Sequence, residues 1–166
     1  MSRDYEEFIA ALNAHNVKYL IIGAHAVALH ARPRATKDLD ILIAPTNENA
    51  EATLVAVREF FKGAQLGYSV SDLLDTGSMI QIGVAPVRID IASSILGISN
   101  FSDAWSRRTR GRFGSVYANY IGLDDLLSAK RATNRPQDRV DIQSIQRVLG
   151  IEKDHSVRRT PKRKKK

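Results

Sequence analysis

The chain has 166 residues and no cysteine, which fits one domain with one hydrophobic core and excludes disulfides, thiolate metal sites and cysteine nucleophiles. No apolar run reaches the length of about 18 residues that a membrane-spanning helix needs, and the acidic N-terminus lacks the apolar segment of a secretory signal. The formal net charge is +7, of which residues 151–166 carry +6, so residues 1–150 are nearly neutral.

The first half of the chain alternates between helical and strand patterns. Apolar spacing predicts helices over 4–15, over 24–31, and from 46 or 47 to 61. Short apolar runs predict strands over 18–22 and 39–43. Residues 62–75 contain Gly63 and Gly67 and are expected to hold a loop and a short helix.

The second half begins with two apolar runs, 78–84 and 87–91, which predict a hairpin around Ala85-Pro86. The pattern then predicts, in order, a helix over 101–107, one strand over 112–121, and helices over 123–133 and 137–149. The expected fold class is α/β (α+β): a small mixed β-sheet flanked by helices, with a helical C-terminal part.

The charge distribution predicts the domain boundary. Residues 1–150 would form the folded domain, and 151–166, with eight Lys and Arg against two acids, would be a disordered basic tail. Such a tail can bind tRNA or other RNA through its phosphates, or it can simply keep the chain in solution. With no secretory signal and no membrane contact, a cytoplasmic protein is expected.

Two acids on one predicted strand are the main indication of chemistry. Asp38 and Asp40 are separated by one residue, so both side chains should emerge on the same face of the strand. Two carboxylates held this way repel each other unless a cation lies between them, and Mg²⁺ prefers oxygen ligands. A solvated strand edge is the plain alternative for such a pair taken alone.

A third acid, Asp90, lies within the predicted strand 87–91. If that strand lies next to 39–43, three carboxylates converge on one point. Such a cluster is what a two-metal phosphoryl-transfer site requires. The sequence therefore predicts a Mg²⁺ site at Asp38, Asp40 and Asp90.

Gly23, the short helix after it, and the run from Arg34 through Thr36 to Asp38-Leu39-Asp40 resemble the active-site motif of the DNA polymerase β-like nucleotidyltransferase superfamily. The chain is similar to small bacterial nucleotidyltransferases related to abortive-infection toxins of the AbiEii type. Segments 87–91, 126–130 and 135–141 are similar to the third-carboxylate strand and the C-terminal Lys and Arg-Pro-Lys-Asp-x-x-Asp patterns of those proteins. The resemblance covers residues 5–149 and implies a nucleotidyltransferase fold.

The resemblance also implies roles for individual residues. Nucleotide binding would involve the backbone at Gly23 and Ala24 and the side chains of Arg34, Thr36 and Lys130. Besides the three metal-binding acids, the implied catalytic residues are Lys130, which would contact the phosphates, and Asp141, which would orient that lysine or close the site. Two departures are Ala24, where the family usually has Gly or Ser, and Gln137, where related proteins tend to have Lys.

These residues imply a Mg²⁺-dependent enzyme that moves an NMP from an NTP to a hydroxyl on an RNA 3′ end, a protein or a small molecule. By analogy, it can be a toxin–antitoxin component with a protein partner. The alternative is a catalytically degenerate module that binds nucleotide, RNA or a protein, which Ala24 and Gln137 favour. A basic loop holds four candidate acceptor-binding residues, Arg107, Arg108, Arg110 and Arg112. The other interpretation is that this segment is simply an exposed approach to a hairpin.

Overall fold

The structure is a computed structural model that describes residues 3–84 and 86–150. Ala85 and the basic tail predicted over 151–166 lie outside the described residues. In the described part of the chain, no helix is long and apolar enough to cross a membrane.

The described ranges contain helices and strands that alternate along the chain. The helices are α1 (Arg3–Ala14), α2 (Gly23–His30), α3 (Asn47–Phe60), α4 (Val70–Leu74), α5 (Phe101–Ser106), α6 (Leu123–Thr133) and α7 (Pro136–Val148). The strands are β1 (Tyr19–Ile21), β2 (Asp38–Ile43), β3 (Ile80–Val84), β4 (Val87–Ala92), β5 (Thr109–Phe113) and β6 (Val116–Tyr120).

All six strands form one mixed sheet in the order β3-β4-β2-β1-β6-β5. The central strand β2 is parallel to β4 and antiparallel to β1, and β1 is parallel to β6. The hairpins β3–β4 and β5–β6 supply the two edges. The predicted fold class is confirmed: helices flank a small mixed sheet, and α6 and α7 form the helical C-terminal part.

The prediction of one strand over 112–121 is wrong, because the chain reverses direction at Gly114 and Ser115. Gly114 has a positive φ of 59°, which favours glycine, and an added Cβ would overlap the carboxylate of Glu6. That carboxylate accepts bonds from the backbone N–H and the hydroxyl of Ser115, at 3.0 and 2.8 Å. Helix α1 therefore fixes the turn between β5 and β6.

The two faces of the sheet have different surroundings. Residues that lie opposite each other on neighbouring strands point to the same face of the sheet. Asp40 of β2 lies opposite Asp90 of β4, so both acids are on one face. We call the face that carries Asp38, Asp40, Arg88 and Asp90 the carboxylate face.

Helices cover the opposite face. The ring of His25 on α2 contacts the rings of Tyr5 on α1 and Phe113 on β5, with centroid distances of 5.8 and 5.1 Å. The strand residues beneath these helices are fully buried and form the core: Tyr19, Ile21, Leu39, Ile41, Ile43 and Ile89. Burial of this apolar face anchors the strands whose other face carries the acids.

Candidate active site

The structure brings the three predicted carboxylates together. Oxygens of Asp38, Asp40 and Asp90 all lie within 4.8 Å of one another. The cause is the register of β2 and β4, which are parallel neighbours and place Asp40 opposite Asp90. Asp38 lies two residues before Asp40 and therefore on the same face.

The electrostatics of Asp40 reflect this crowding. Burial, followed by repulsion from Asp38 and Asp90, raises the pKa of Asp40 to about 6. The cluster thus holds more negative charge than its surroundings neutralise.

Gly23 lies directly against Asp40. The backbone N–H of Ile22 donates to the Asp40 carbonyl at 3.0 Å, and Gly23 follows with a positive φ of 62°. A Cβ at this position would overlap the Asp40 carboxylate, so only glycine allows helix α2 to begin here. The glycine of the motif is therefore required by the position of the acid.

Arg88 is a member of the cluster that the sequence analysis did not identify. Its Nη2 donates to Asp90 Oδ2 at 2.7 Å and to Asp38 Oδ2 at 3.0 Å, and its Nε donates to Asp90 Oδ1 at 3.1 Å. Arg88 lies two residues before Asp90 on β4, so the alternation used for Asp38 and Asp40 also puts it on the carboxylate face. The positive charge of this one guanidinium group neutralises only part of the negative charge of the three carboxylates.

Thr36 and Arg34 lie in the segment that leads into β2. The Thr36 hydroxyl donates to Asp38 Oδ1 at 2.6 Å and so fixes the orientation of that carboxylate. Arg34 donates from Nε to Asp141 Oδ1 at 3.0 Å, and its side chain is about one-third exposed. The predicted nucleotide-binding residues therefore surround the acids, with Arg34 tied to α7.

Lys130 is held between two acids of α7. Its Nζ lies 2.7 Å from Asp141 Oδ2 and 3.0 Å from Asp138 Oδ1, and all three residues are buried. Lys130 and Asp141 were predicted as site residues, whereas Asp138, which lies one helical turn before Asp141, was not.

The environment of Asp138 and Asp141 favours their charged forms. Burial acts to raise the pKa of Asp138, but hydrogen bonds from Arg135, Thr133 and Lys130 outweigh burial and hold that pKa well below its usual range. Burial also acts to raise the pKa of Asp141, and again the bonds from Lys130 and Gln137 lower it overall. Gln137, one of the two departures from the resembled motif, thus donates from Nε2 to Asp141 Oδ1 at 3.0 Å.

These groups line one cavity of about 830 Å³. Most of the predicted site residues are part of its wall, namely Gly23, Ala24, Arg34, Thr36, Asp38, Asp40, Asp90 and Lys130. Arg88, Gln137 and Asp138 line it as well, whereas Asp141 lies behind Lys130 and Arg34. The cavity has the size of a small-molecule binding site.

The four candidate acceptor-binding arginines do not line this cavity. The prediction that they form a loop is wrong for Arg110, which lies on the edge strand β5; Arg112, also the first residue of the strand predicted over 112–121, lies on β5 as well. Arg107 follows α5 and pairs with Asp125, with bonds of 2.8 and 3.0 Å. Strands β2, β1 and β6 lie between β4 and β5 in the sheet.

The donor set fits a hard divalent cation. Three carboxylates with oxygens in close proximity, one of them with a raised pKa, provide the ligands and the charge that Mg²⁺ prefers. Asp38, Asp40 and Asp90 would hold the ion.

Comparisons with known proteins agree with this geometry. Residues 1–165 match the family described as nucleotidyl transferase of unknown function (DUF2204). The chain is also similar to a crystal structure from Thermotoga maritima whose protein carries the provisional name nucleotidyltransferase. Identity is 12%, the TM-score is 0.53, and the alignment covers 90% of this chain and 92% of that one, which shows a shared fold.

No curated protein matches the chain. The family match nevertheless spans almost the whole sequence, and the family's description names nucleotidyl transfer in general. We conclude that this protein belongs to the DUF2204 family of nucleotidyl transferases.

Proposed function

We propose that this protein is a Mg²⁺-dependent enzyme that transfers a nucleoside monophosphate from an NTP to a hydroxyl acceptor and releases pyrophosphate. The observation that supports the proposal is the convergence of Asp38, Asp40 and Asp90 on the wall of the large cavity. One guanidinium faces three carboxylates here, and a carboxyl group with a raised pKa in a cleft is a candidate for function.

The start of α2 is the proposed cradle for the triphosphate. The first N–H groups of a helix lack intrahelical partners and favour anions. At α2 the residue before the helix, Ile22, provides no side-chain cap, and Gly23 and Ala24 line the cavity. Because backbone N–H groups make this contact, the missing hydroxyl at Ala24 does not remove it.

Lys130 and Arg34 would add positive charge near the phosphates. An ammonium group has three donors, and Asp138 and Asp141 use two of those of Lys130, which leaves one for a phosphate oxygen. Asp141 contacts both Lys130 and Arg34, so it would position the two cations together.

In the proposed reaction, the acceptor oxygen attacks the α-phosphorus in line and forms a new O–P bond. The bond from the α-phosphorus to the bridging oxygen breaks, and pyrophosphate leaves with the electron pair. Asp90 would accept the hydroxyl proton and pass it to water. Mg²⁺, held as one or two ions by the three acids, would supply charge neutralisation for the phosphates and the leaving group.

The test is transfer of label from each α-³²P NTP to total RNA, to protein and to small hydroxyl compounds in the presence of Mg²⁺. We expect incorporation into one acceptor class by the full chain, and loss of at least about a thousandfold for the D38N/D40N variant. The near-isosteric amides keep the shape of the strand but remove two charges. Equal incorporation by both proteins, or none with any NTP and acceptor, contradicts the proposal.

A second candidate function is a degenerate module that binds nucleotide or a partner without catalysis. The contacts of Arg88 with Asp38 and Asp90 favour it, because a resident guanidinium can take the place of a metal ion. The two functions differ in how the protein binds Mn²⁺.

Mn²⁺ binding measured by electron paramagnetic resonance separates the two. For an enzyme, the unaltered chain binds Mn²⁺, D38N/D40N does not, and R88M binds more tightly because a competing cation is gone. R107M is the matched control, since Arg107 makes a comparable pair with Asp125 outside the cavity. Mn²⁺ binding by R88M alone, with none by the unaltered chain, would favour the module.

The similarity to AbiEii-type proteins extends the proposal to a toxin–antitoxin role with a protein partner. It is tested by inducing the full chain in a bacterial host. Growth arrest by the unaltered chain, relieved in D38N/D40N, supports this role, and equal growth of both strains contradicts it. An RNA contact through residues 151–166 is likewise part of the proposal.

A further inference from the structure

The solvent-facing side of the β5–β6 hairpin carries a row of arginines and aromatic rings. We call Trp105, Arg108, Arg110, Arg112, Tyr117 and Asn119 the hairpin strip. The guanidinium of Arg108 lies 4.0 Å from the centre of the Trp105 ring, and those of Arg112 and Arg110 lie 5.2 and 5.9 Å from the centre of Tyr117. The Tyr117 side of this row is open, since the residue is 58% exposed.

The arginines of the strip have no acidic partner in the part of the chain that the structure describes. Near the cavity, Arg34, Arg88 and Arg135 each pair with an aspartate, and Arg107 pairs with Asp125. Among the described residues, no ion pair involves the three strip arginines. Arg108 instead donates to Asn119 Oδ1 and the Trp105 carbonyl, at 3.2 and 2.8 Å. Three positive charges therefore remain uncompensated on a small area.

The register of the sheet places the strand residues of the strip on the carboxylate face. Tyr120 pairs with Ile21, whose partner Ile41 points away from the acids. Tyr117 and Asn119, at the alternate positions of β6, therefore point to the acidic side, together with their partners Arg112 and Arg110. Alternate strand residues are spaced by about 6.5–7 Å, so the guanidinium groups form a ladder along β5.

The row of guanidinium groups also begins at the same end of the sheet as the acids. β2 enters the sheet where β1 leaves it, and β1 is parallel to β6 and antiparallel to β5. The first residues of β5 therefore share the sheet end at which Asp38 and Gly23 lie.

We propose that the hairpin strip binds single-stranded nucleic acid and guides its terminal hydroxyl to the cavity, so that this strand is the acceptor. The arginines would bind successive phosphates, and unpaired bases would stack on Tyr117 beside the guanidinium groups. The acceptor part rests on the proposed function. The terminal oxygen forms the new bond to the α-phosphorus, pyrophosphate leaves, and the hydroxyl proton goes to solvent through the site carboxylates.

The binding part is tested by fluorescence anisotropy of the full chain with labelled 12-nucleotide RNA, DNA of the same sequence, and a blunt RNA duplex. We expect R110A/R112A to weaken binding of single strands by at least about tenfold and to reduce the slope of log affinity against log salt by about 1.4. Y117A should weaken binding of single strands by at least about fivefold and leave the duplex unchanged, because only unpaired bases stack.

The matched control is R3A/R58A, which removes two exposed guanidinium groups from α1 and α3. A control that loses as much affinity as R110A/R112A overturns the inference, because binding would then follow net charge and the basic tail. R110K/R112K should restore the salt slope, and an unchanged melting temperature shows that the variants fold. Competition by polyglutamate as strong as by RNA also overturns the inference.

The two proposals fail separately. Anisotropy does not require catalysis, so D38N/D40N should bind single strands like the unaltered chain. If it does, and no NTP is incorporated, the strip stands as a binding site while the enzyme proposal fails. If R110A/R112A transfers labelled NMP to RNA as fast as the unaltered chain does, the strip is not the acceptor site. The RNA and DNA arms identify which strand is bound.

Discussion

Gly23 and Asp40 show how one contact fixes the position of a reacting group. The acid occupies the space that any Cβ at position 23 would need, and the backbone there has a positive φ. The carboxylate can therefore occupy this position only because residue 23 has no side chain.

We expect G23A to destabilise the protein and to weaken Mn²⁺ binding by about tenfold, the effect typical of changes behind a metal ligand. The positive φ alone costs an alanine about 1–2 kcal/mol, and overlap with Asp40 adds to this cost. Electron paramagnetic resonance and urea denaturation measure the two effects.

G67A is the matched control, since Gly67 also has a positive φ but open space where a Cβ would lie. It should lose stability from the backbone alone and bind Mn²⁺ normally. Equal Mn²⁺ affinity of both variants would show that Gly23 has no role in placing Asp40.

Much of the candidate site at this scale was predictable from the sequence. Two-residue alternation is enough to place Asp38 and Asp40 on one face, and the same rule applied to 87–91 yields both Asp90 and Arg88. Arg88 was not predicted because the strand pattern indicates which carboxylates share a face but not that a guanidinium of the same face pairs with them.

At the scale of elements, helices α6 and α7 are joined by buried charges. Lys130 of α6 lies between Asp138 and Asp141 of α7, and Asp138 also accepts bonds from Thr133 and from the backbone and side chain of Arg135. Removing one partner of a buried ion pair is costly because the other charge stays buried.

We expect D138N to lower the free energy of unfolding by about 3 kcal/mol at pH 7. The pKa of Asp138 is lowered in the folded protein, so its stabilisation is present above the unfolded value of about 3.9 and is lost as the pH falls further. The difference between the unaltered chain and D138N should therefore stay constant from pH 7 to pH 5 and narrow below about pH 4. Urea midpoints measured across this range check the sign, and a difference that widens in acid contradicts it.

Element boundaries show what the sequence does not specify on its own. The turn at Gly114-Ser115 matches a two-residue hairpin signal, yet the run from 112 to 121 has enough apolar residues to resemble one strand. Glu6, more than a hundred residues away, fixes this turn by accepting two bonds from Ser115. Single-sequence patterns do not contain such distant contacts.

At the scale of the whole molecule, the sheet order explains how separate features share one face. The adjacent strands β2 and β4 carry the acids, β1 and β6 continue the sheet, and β5 carries Arg110 and Arg112 of the strip at the far edge. The sequence predicted a mixed sheet, but neither the order of the strands nor the parallel pairing of β2 with β4 follows from local patterns. That pairing is long-range and depends on how the apolar faces pack together.

The parallel pairing of β2 with β4 also decides when the acidic cluster can exist. Its members come from strands fifty positions apart, with α3, α4 and β3 in between, so a nascent or partly denatured chain has two of the acids side by side but not the third. The proposed cation site is thus complete only once β4 has paired with β2. We therefore expect a protease, chaperone or denaturant that keeps these strands apart to abolish the proposed cation site while leaving all three carboxylates chemically intact.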